Sequence, residues 1–115
     1  MQDLELLRRI IKLLVERDLY YVEHDFIGFF WFIPEEIALK ALDKDFSYFP
    51  VLFECLEKDL PREVLYVFWL AGTFKVATLL RLARECRKMF KGILYWRTKE
   101  ERFKYIKGGE QRWDF

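Results

Sequence analysis

Apolar residues recur at helical spacing near the start of the chain. Leu4, Leu7, Ile11 and Leu14, widened by Leu6, Ile10 and Leu13, alternate with Glu5, Arg8, Arg9, Lys12 and Glu16. A stripe of that width predicts an amphipathic helix over residues 3–18, with Asp3 as its N-cap. The period then changes. LYYVE and FIGFFWFI are aromatic and β-branched and predict a hairpin over residues 19–33, turning at Glu23, His24 and Asp25. Gly28, inside the second run, marks a bulge or a close backbone approach. Pro34 stops the strand and opens a helix, with Glu35 and Glu36 suited to its positive end. This helix carries Ile37, Ala38, Ala41 and Leu42 and ends near Asp43. Phe46 to Phe49 reads as an aromatic loop. Pro50 starts a further helix with Val51, Leu52, Cys55 and Leu56 inward, and Leu60-Pro61 ends it.

Val64 to Ala71 is apolar without alternation, as expected of a strand covered on both faces at the centre of a sheet. Thr73 is placed to cap a helix running to about Phe90, with Val76, Leu79, Leu80, Ala83 and Phe90 on its buried face. Gly92 sits where a left-handed C-terminal cap belongs. ILYWR and RFKYIK follow, joined by a turn near Lys99-Glu100; Phe103 and Tyr105 alternate with Arg102 and Lys104, as in a half-buried strand. Gly108-Gly109 lies in a C-terminal tail, residues 107–115. The order α-β-β-α-α-β-α-β-β predicts one α+β domain over residues 1–115, a sandwich with a mixed, mainly antiparallel sheet and flanking helices. Two hairpins flank a central strand-helix unit.

Composition adds bulk to this picture. Twelve Phe, six Tyr and four Trp in 115 residues make aromatic burial the main source of core energy. Their excess also makes a homodimer plausible, since some are expected at the surface. The apolar runs fall short of the roughly 20 residues that a membrane helix needs, and MQDLELLRRI is too charged for a signal peptide, so a cytoplasmic protein is expected. Cys55 and Cys86 form no CxxC pattern and read as reduced core thiols. The chain has no Asn, one Ser and two Gln, a scarcity of thermolabile amides that suggests a thermophilic source. Charge is polarised. Residues 1–70 carry eight Lys or Arg against fourteen Asp or Glu, whereas residues 71–115 carry twelve against five. Such a field steers an acidic partner toward one end.

Candidate chemistry is sparse. Ser47 and His24 are the only Ser and His, and nothing around them resembles a nucleophile elbow. One His and two distant Cys make no zinc set, and neither a P-loop nor a GxGxxG is present; no metal or obligatory cofactor is expected. Ala71-Gly72-Thr73 joins the buried strand to the basic helix, and a helix N-terminus beyond a strand end can hold a ligand; an ordinary capped turn is the plainer alternative. Lys91, Arg97, Lys99, Arg102, Lys104 and Lys107 form a basic patch interleaved with Tyr95, Trp96 and Tyr105. That pattern suits a nucleic-acid backbone with stacked bases or a solvated strand face.

The element order, with LLRLARECRKMFKGILYWR, resembles acetyltransferase-like (GNAT-type) folds, and more closely the toxin-activating lysine acyltransferases. Trp69-Leu70-Ala71, the helix from Thr73 to Phe90, the strand Ile93 to Arg97 and Gly108-Gly109 carry the likeness. It implies acyl transfer to an amine from an acyl-CoA or acyl carrier protein thioester, the carrier being an acidic protein. The usual R/Q-x-x-G-x-G/A pyrophosphate loop is replaced here by Phe32-Ile33-Pro34-Glu35-Glu36. The aspartate of that branch falls on Phe68, and no residue here matches its histidine. Tyr95 and Glu35 remain as acid-base candidates. A catalytically silent binding or assembly module, of a kind that viruses or mobile elements encode, and a nucleic-acid-binding protein are the alternatives.

Overall fold

The computed structural model describes residues 4–23, 26–72, 84–85 and 89–107. Helix α1 (Leu4–Glu16) is followed by the hairpin β1 (Tyr20–Glu23) and β2 (Phe26–Ile33), then α2 (Glu35–Ala41), a single 3-10 turn at Phe46–Tyr48 and α3 (Phe49–Glu57). The strands β3 (Val64–Gly72), β4 (Gly92–Arg97) and β5 (Arg102–Lys107) complete an α+β fold. The five strands form one mixed sheet in the order β1-β2-β3-β4-β5. All neighbours are antiparallel except β3 and β4, which run parallel. The uniformly apolar strand therefore lies at the sheet's centre, between two hairpins. The connection between β3 and β4, with the expected helix from Thr73 to Phe90, falls largely outside the described residues, as do Asp3, His24, Asp25, Cys86 and the segment 108–115.

One face of the sheet presents Phe29, Trp31, Ile33, Val64, Tyr66, Leu94 and Phe103 to the helices. Ile10 and Leu14 of α1, Ala38 and Ala41 of α2, and Leu52, Phe53, Cys55 and Leu56 of α3 close over them. The i, i+4 spacing of Ile10 and Leu14 and the period-2 spacing of Trp31 and Ile33 put each set on one side. Leu65, Ile93 and Ile106 are buried on the opposite face, where Phe90 packs against Phe32 at 5.0 Å between ring centres. The two-sided burial expected of β3 holds for Val64, Leu65 and Tyr66; Val67 and Phe68 are half-buried.

Trp31 is the hub. It is fully buried, its indole N–H donates to the Leu52 carbonyl at 2.8 Å, and its ring meets Tyr66 edge-on at 4.9 Å. Phe49, Phe53 and Phe68 surround it at 6.2, 6.4 and 5.3 Å. Edge-on and tilted packing of this kind adds to plain area burial.

Several boundaries differ from the sequence reading, each for a local reason. Gly28 pairs regularly with Tyr21 and Leu70, and the bulge lies between Phe29 and Phe30. Phe29 opposes Trp69 whereas Phe30 opposes Val67, so the extra residue is Phe68 on β3. Helix α3 stops at Glu57 because Lys58 is already extended, with ψ 151°, ahead of Leu60-Pro61. Leu42 caps α2 and is 38% exposed rather than inward. The aromatic loop at Phe46 is a 3-10 turn, capped by Asp45 accepting from the Ser47 N–H. Helix α1 ends with Asp18 in the left-handed region, φ 58°. The Leu19 N–H then bonds Leu14 O at 2.8 Å and the Asp18 N–H bonds Val15 O at 3.1 Å. That is the Schellman closure that turns the chain into β1.

Trp31→Ala is expected to lower stability by about 3–5 kcal/mol. Trp31→Phe, which keeps much of the volume but removes the N–H, is expected to lower it by about 1–3 kcal/mol. Urea denaturation with unchanged slope is the measurement; a loss under about 0.5 kcal/mol for Trp31→Ala would remove the indole from the centre of the energetics.

Candidate functional site

Two groups of charged side chains occupy opposite ends of the β4–β5 hairpin. The first lies where β2 hands over to α2. Pro34, the cap residue of α2, offers no side-chain acceptor, so the exposed N–H groups of the first turn need one from elsewhere. Glu63, immediately before β3, supplies it: the Glu35 N–H donates to Glu63 Oε1 at 3.0 Å. The other oxygen of Glu63 accepts from Lys91 Nζ at 3.0 Å, and Lys91 lies 3.9 Å from the Glu35 carboxylate. The Tyr105 hydroxyl donates to Glu35 Oε2 at 3.3 Å and lies 3.4 Å from the Lys91 carbonyl. The bond from the helix N–H and the Lys91 ammonium hold the Glu63 carboxyl below its ordinary value. Glu63, with Glu35, holds the Lys91 ammonium above its own.

Gly92 is what lets Tyr105 reach this cluster. A Cβ at Gly92 would lie 2.5 Å from Tyr105 Cζ and Oη. The residue is the first of β4, paired with Val64 and Lys107, and its backbone is not left-handed. Its service is close approach of a ring, and the cap expected from sequence is corrected accordingly.

The second group sits at the hairpin tip. Arg97 pairs with Arg102 to close the hairpin, and the four-residue loop between them turns through Glu101 at φ 52°. Glu100, in that loop, gathers the cations of both strands. Its Oε2 lies 2.9 Å from Lys104 Nζ, 3.3 Å from Arg97 Nε and 3.8 Å from Arg102 Nε. The hydrogen bond from Lys104, ahead of the attraction of the three cations, keeps the Glu100 carboxyl below its ordinary value.

Of the basic residues expected to form one patch, Lys91 thus belongs to the α2 cluster, whereas Arg97, Arg102 and Lys104 form the tip cluster. Lys99 and Lys107 are exposed. The interleaved aromatics divide by strand alternation. Trp96 and Phe103 face the helices and meet at 4.8 Å, with Phe46 5.1 Å from Trp96. Tyr95, opposite Lys104, lies on the other face and is half-buried.

Tyr95 and Glu35 are not brought together. Tyr95 pairs with Val67, the last row of the parallel ladder, and Glu35 lies beyond its first row, Val64–Gly92. Three residues of strand separate the two rows, about 10 Å. Tyr105, not Tyr95, is the tyrosine beside Glu35. Ala71 and Gly72 are strand residues, paired with Ile27 and Phe26, so no turn begins at Ala71; Thr73 lies outside the described residues. Ser47 lies within the 3-10 turn and donates its N–H and its hydroxyl to Oδ1 of the cap residue Asp45. Cys55 is free and buried, and burial pushes its thiol up to about 11. A thiol so far from ionisation is a packing group. Among the described residues no three His, Cys, Asp or Glu are gathered as metal ligands, and no helix is long and apolar enough to cross a membrane.

The parallel pair has a further property. β3 and β4 pair in four rows, from Val64–Gly92 to Val67–Tyr95. β3 then runs on to Gly72 and β4 to Arg97, with Phe68, the bulge residue, directly after the last row. Comparison with family models, with curated proteins and with solved structures gave no match.

The sequence offers neither Glu63 nor Glu100 as a site residue, and it places Tyr105 only among the aromatics interleaved with the basic residues. Glu63 and Tyr105 are 28 and 70 residues from Glu35 and meet it only through sheet order. Glu100 did carry a signal, since an acid in a turn between two basic strands lies within reach of both.

Gly92→Ala is expected to cost about 1–3 kcal/mol by displacing the Tyr105 ring. The loss should shrink in the Tyr105→Leu background, a non-additivity that a double-mutant cycle by urea denaturation reads; additive losses would show that the ring is not the obstacle. The Glu63–Lys91 pair fixes a pH window. A lowered carboxyl contributes stability above its unfolded value, near 4.5, and loses it on acidification through the folded value. A raised ammonium contributes below its unfolded value, near 10.5, and loses it as pH climbs past the folded value. The melting-temperature advantage of wild type over Glu63→Gln should therefore be flat between those values and shrink beyond either.

Proposed function

We propose that this chain is an acyltransferase-like (GNAT-type) domain that passes an acyl group from a coenzyme A or carrier-protein thioester to an amine. The observation that carries the reading is the end of the β3–β4 ladder at the Val67–Tyr95 row, with both strands running on beyond it. Backbone beyond the end of a ladder can offer donors and acceptors to an extended ligand, as in recognition by strand addition. The pantetheine arm of a thioester is such a ligand: a narrow chain with two amides, able to lie as a short strand. The element order and the single parallel pair beside the central strand support the same reading.

In this reading the amine nitrogen attacks the thioester carbonyl, the C–N bond forms, and the C–S bond breaks. The departing sulfur takes a proton and the amine gives one up. Tyr95 stands at the last paired row and is the residue to protonate the thiolate; its side chain lies on the face away from α1, α2 and α3. Glu35 is engaged by Lys91 and Tyr105 and has no part in this step. That engagement favours one second reading, a catalytically silent module of the same architecture, in which both charged clusters serve only to hold the sheet ends together.

Acyl-CoA or acyl carrier protein is expected to raise the melting temperature and to slow amide exchange in Phe68–Gly72 and Trp96–Arg97. Where an acceptor amine is turned over, Tyr95→Phe should reduce turnover by about 100-fold or more with thioester binding retained. Absence of any shift with either donor would reject the transferase reading; binding without turnover on any amine would support the silent module.

A further inference from the structure

We propose that Phe46 sets the length of the acyl group this chain accepts, as the outermost ring of an aromatic arc that closes one side of the thioester site. The inference rests on the acyl-transfer reading and assigns the residue that selects among donors.

The arc begins on the strands. Phe68 and Trp96 are the first residues beyond the Val67–Tyr95 row, one on β3 and one on β4. Both turn toward the helices. Phe68 lies 5.3 Å from Trp31 and 5.3 Å from Phe49 between ring centres, and Trp96 meets Phe103 edge-on at 4.8 Å. Two rings bridge the strands. Phe49, the first residue of α3, stacks on Phe46 at 5.5 Å with 3° between the planes. Phe46, in the 3-10 turn, meets Trp96 edge-on at 5.1 Å. The path Phe68–Phe49–Phe46–Trp96 thus runs from one strand to the other, on the helix side of the place where the ladder ends.

Chemistry decides which way an acyl group leaves. A pantetheine arm lying along the strand backbone brings its thioester to the last paired row, where the ladder blocks passage in the plane of the sheet. The acyl group then turns to one face. The face of Tyr95 carries Lys104 directly across the ladder and is the side for the amine and for proton transfer. An alkyl chain goes to the aromatic side, where its apolar surface leaves water. There it meets the arc. Rings in edge-on and stacked contact leave no passage for a methylene chain, so the room ends at the arc and a long chain is excluded.

Phe46 is the ring whose removal disturbs the core least. Phe49 and Phe68 are packed on Trp31, whereas Phe46 is 42% exposed. Its loss opens the arc toward solvent between Phe49 and Trp96 and gives a long chain a way out past aromatic faces.

Titration calorimetry on wild type, Phe46→Ala and Val22→Ala tests this, with acetyl-CoA, octanoyl-CoA and carrier protein loaded with either group as probes. Wild type is expected to bind the octanoyl donors no more tightly than the acetyl donors. In Phe46→Ala the ratio of octanoyl to acetyl affinity should rise about tenfold or more, the gain from burying roughly two further methylenes. Val22 is 60% exposed on β1, at the opposite side of the sheet from β4, and Val22→Ala should leave the ratio as in wild type. Phe46→Leu serves where the alanine variant melts early, and should move the ratio the same way by less. An unchanged ratio in both Phe46 variants, or a wild type that already prefers octanoyl donors about tenfold, overturns the inference and leaves the acyl-transfer reading standing. An equal rise in Val22→Ala overturns it too. Absence of binding by either donor at either length rejects the acyl-transfer reading, and the inference with it.

Discussion

The contact between Trp31 and α3 is the constraint on which the architecture rests. A tryptophan in the second strand of a five-stranded sheet can be fully buried only if its indole N–H finds an acceptor, because an unbonded polar group in a dry interior is expensive. The Leu52 carbonyl provides that acceptor, and it does so from the first half of α3. The bond therefore sets where α3 lies on the sheet. Phe49 and Phe53, one turn apart on α3, then fall against the same ring. Tyr66 and Phe68 approach it from the central strand. Tyr66, 1% exposed, is driven far from ionisation by the same burial. With α3 seated, α1 and α2 have only the flanks of the same face to cover.

This apolar centre sends the charge to the margins. No charged or polar side chain is buried among the described residues; ion pairs lie along the surfaces of α1, α2 and α3 and at the two ends of the β4–β5 hairpin. Both clusters solve a local problem. Glu63 answers the uncapped N-terminus of α2, and Glu100 answers two arginines set face to face. Exposed pairs of this kind contribute little net stability, through screening and side-chain entropy. Their value lies in what they position: Tyr105 over Gly92 at one end, and a convergent set of cations at the other.

The β3–β4 ladder lies between these two ends. The ladder is tight where Glu63 and Lys91 bridge the two strands and is finished by Val67–Tyr95, next to the bulge at Phe68. An extra residue on the central strand increases its local twist. The ladder with β4 ends at the row where Tyr95 stands, and the aromatic bulge residue beside that row packs on Trp31, the hub of the core.

The sequence by itself determined the elements and their sides, because both are local matters. The stripe Leu4-Leu7-Ile11-Leu14 has only a helix to make. The aromatic runs at residues 20–33 suit strands, and the unbroken apolar stretch from Val64 belongs at a sheet's centre since no face of it tolerates water. The Lys99-Glu100 turn was equally legible from its flanking strands. What only the tertiary structure decided depends on strand order and register, which join residues far apart in the chain. Tyr105 rather than Tyr95 meets Glu35, and Gly92 makes room for a ring instead of capping a helix. Phe68 rather than Gly28 marks the bulge, and the six-residue basic patch separates into two clusters. Side-chain alternation along a strand assigns faces, but it carries no information about which distant strand lies alongside. The chemistry of both sheet ends was settled by that neighbour.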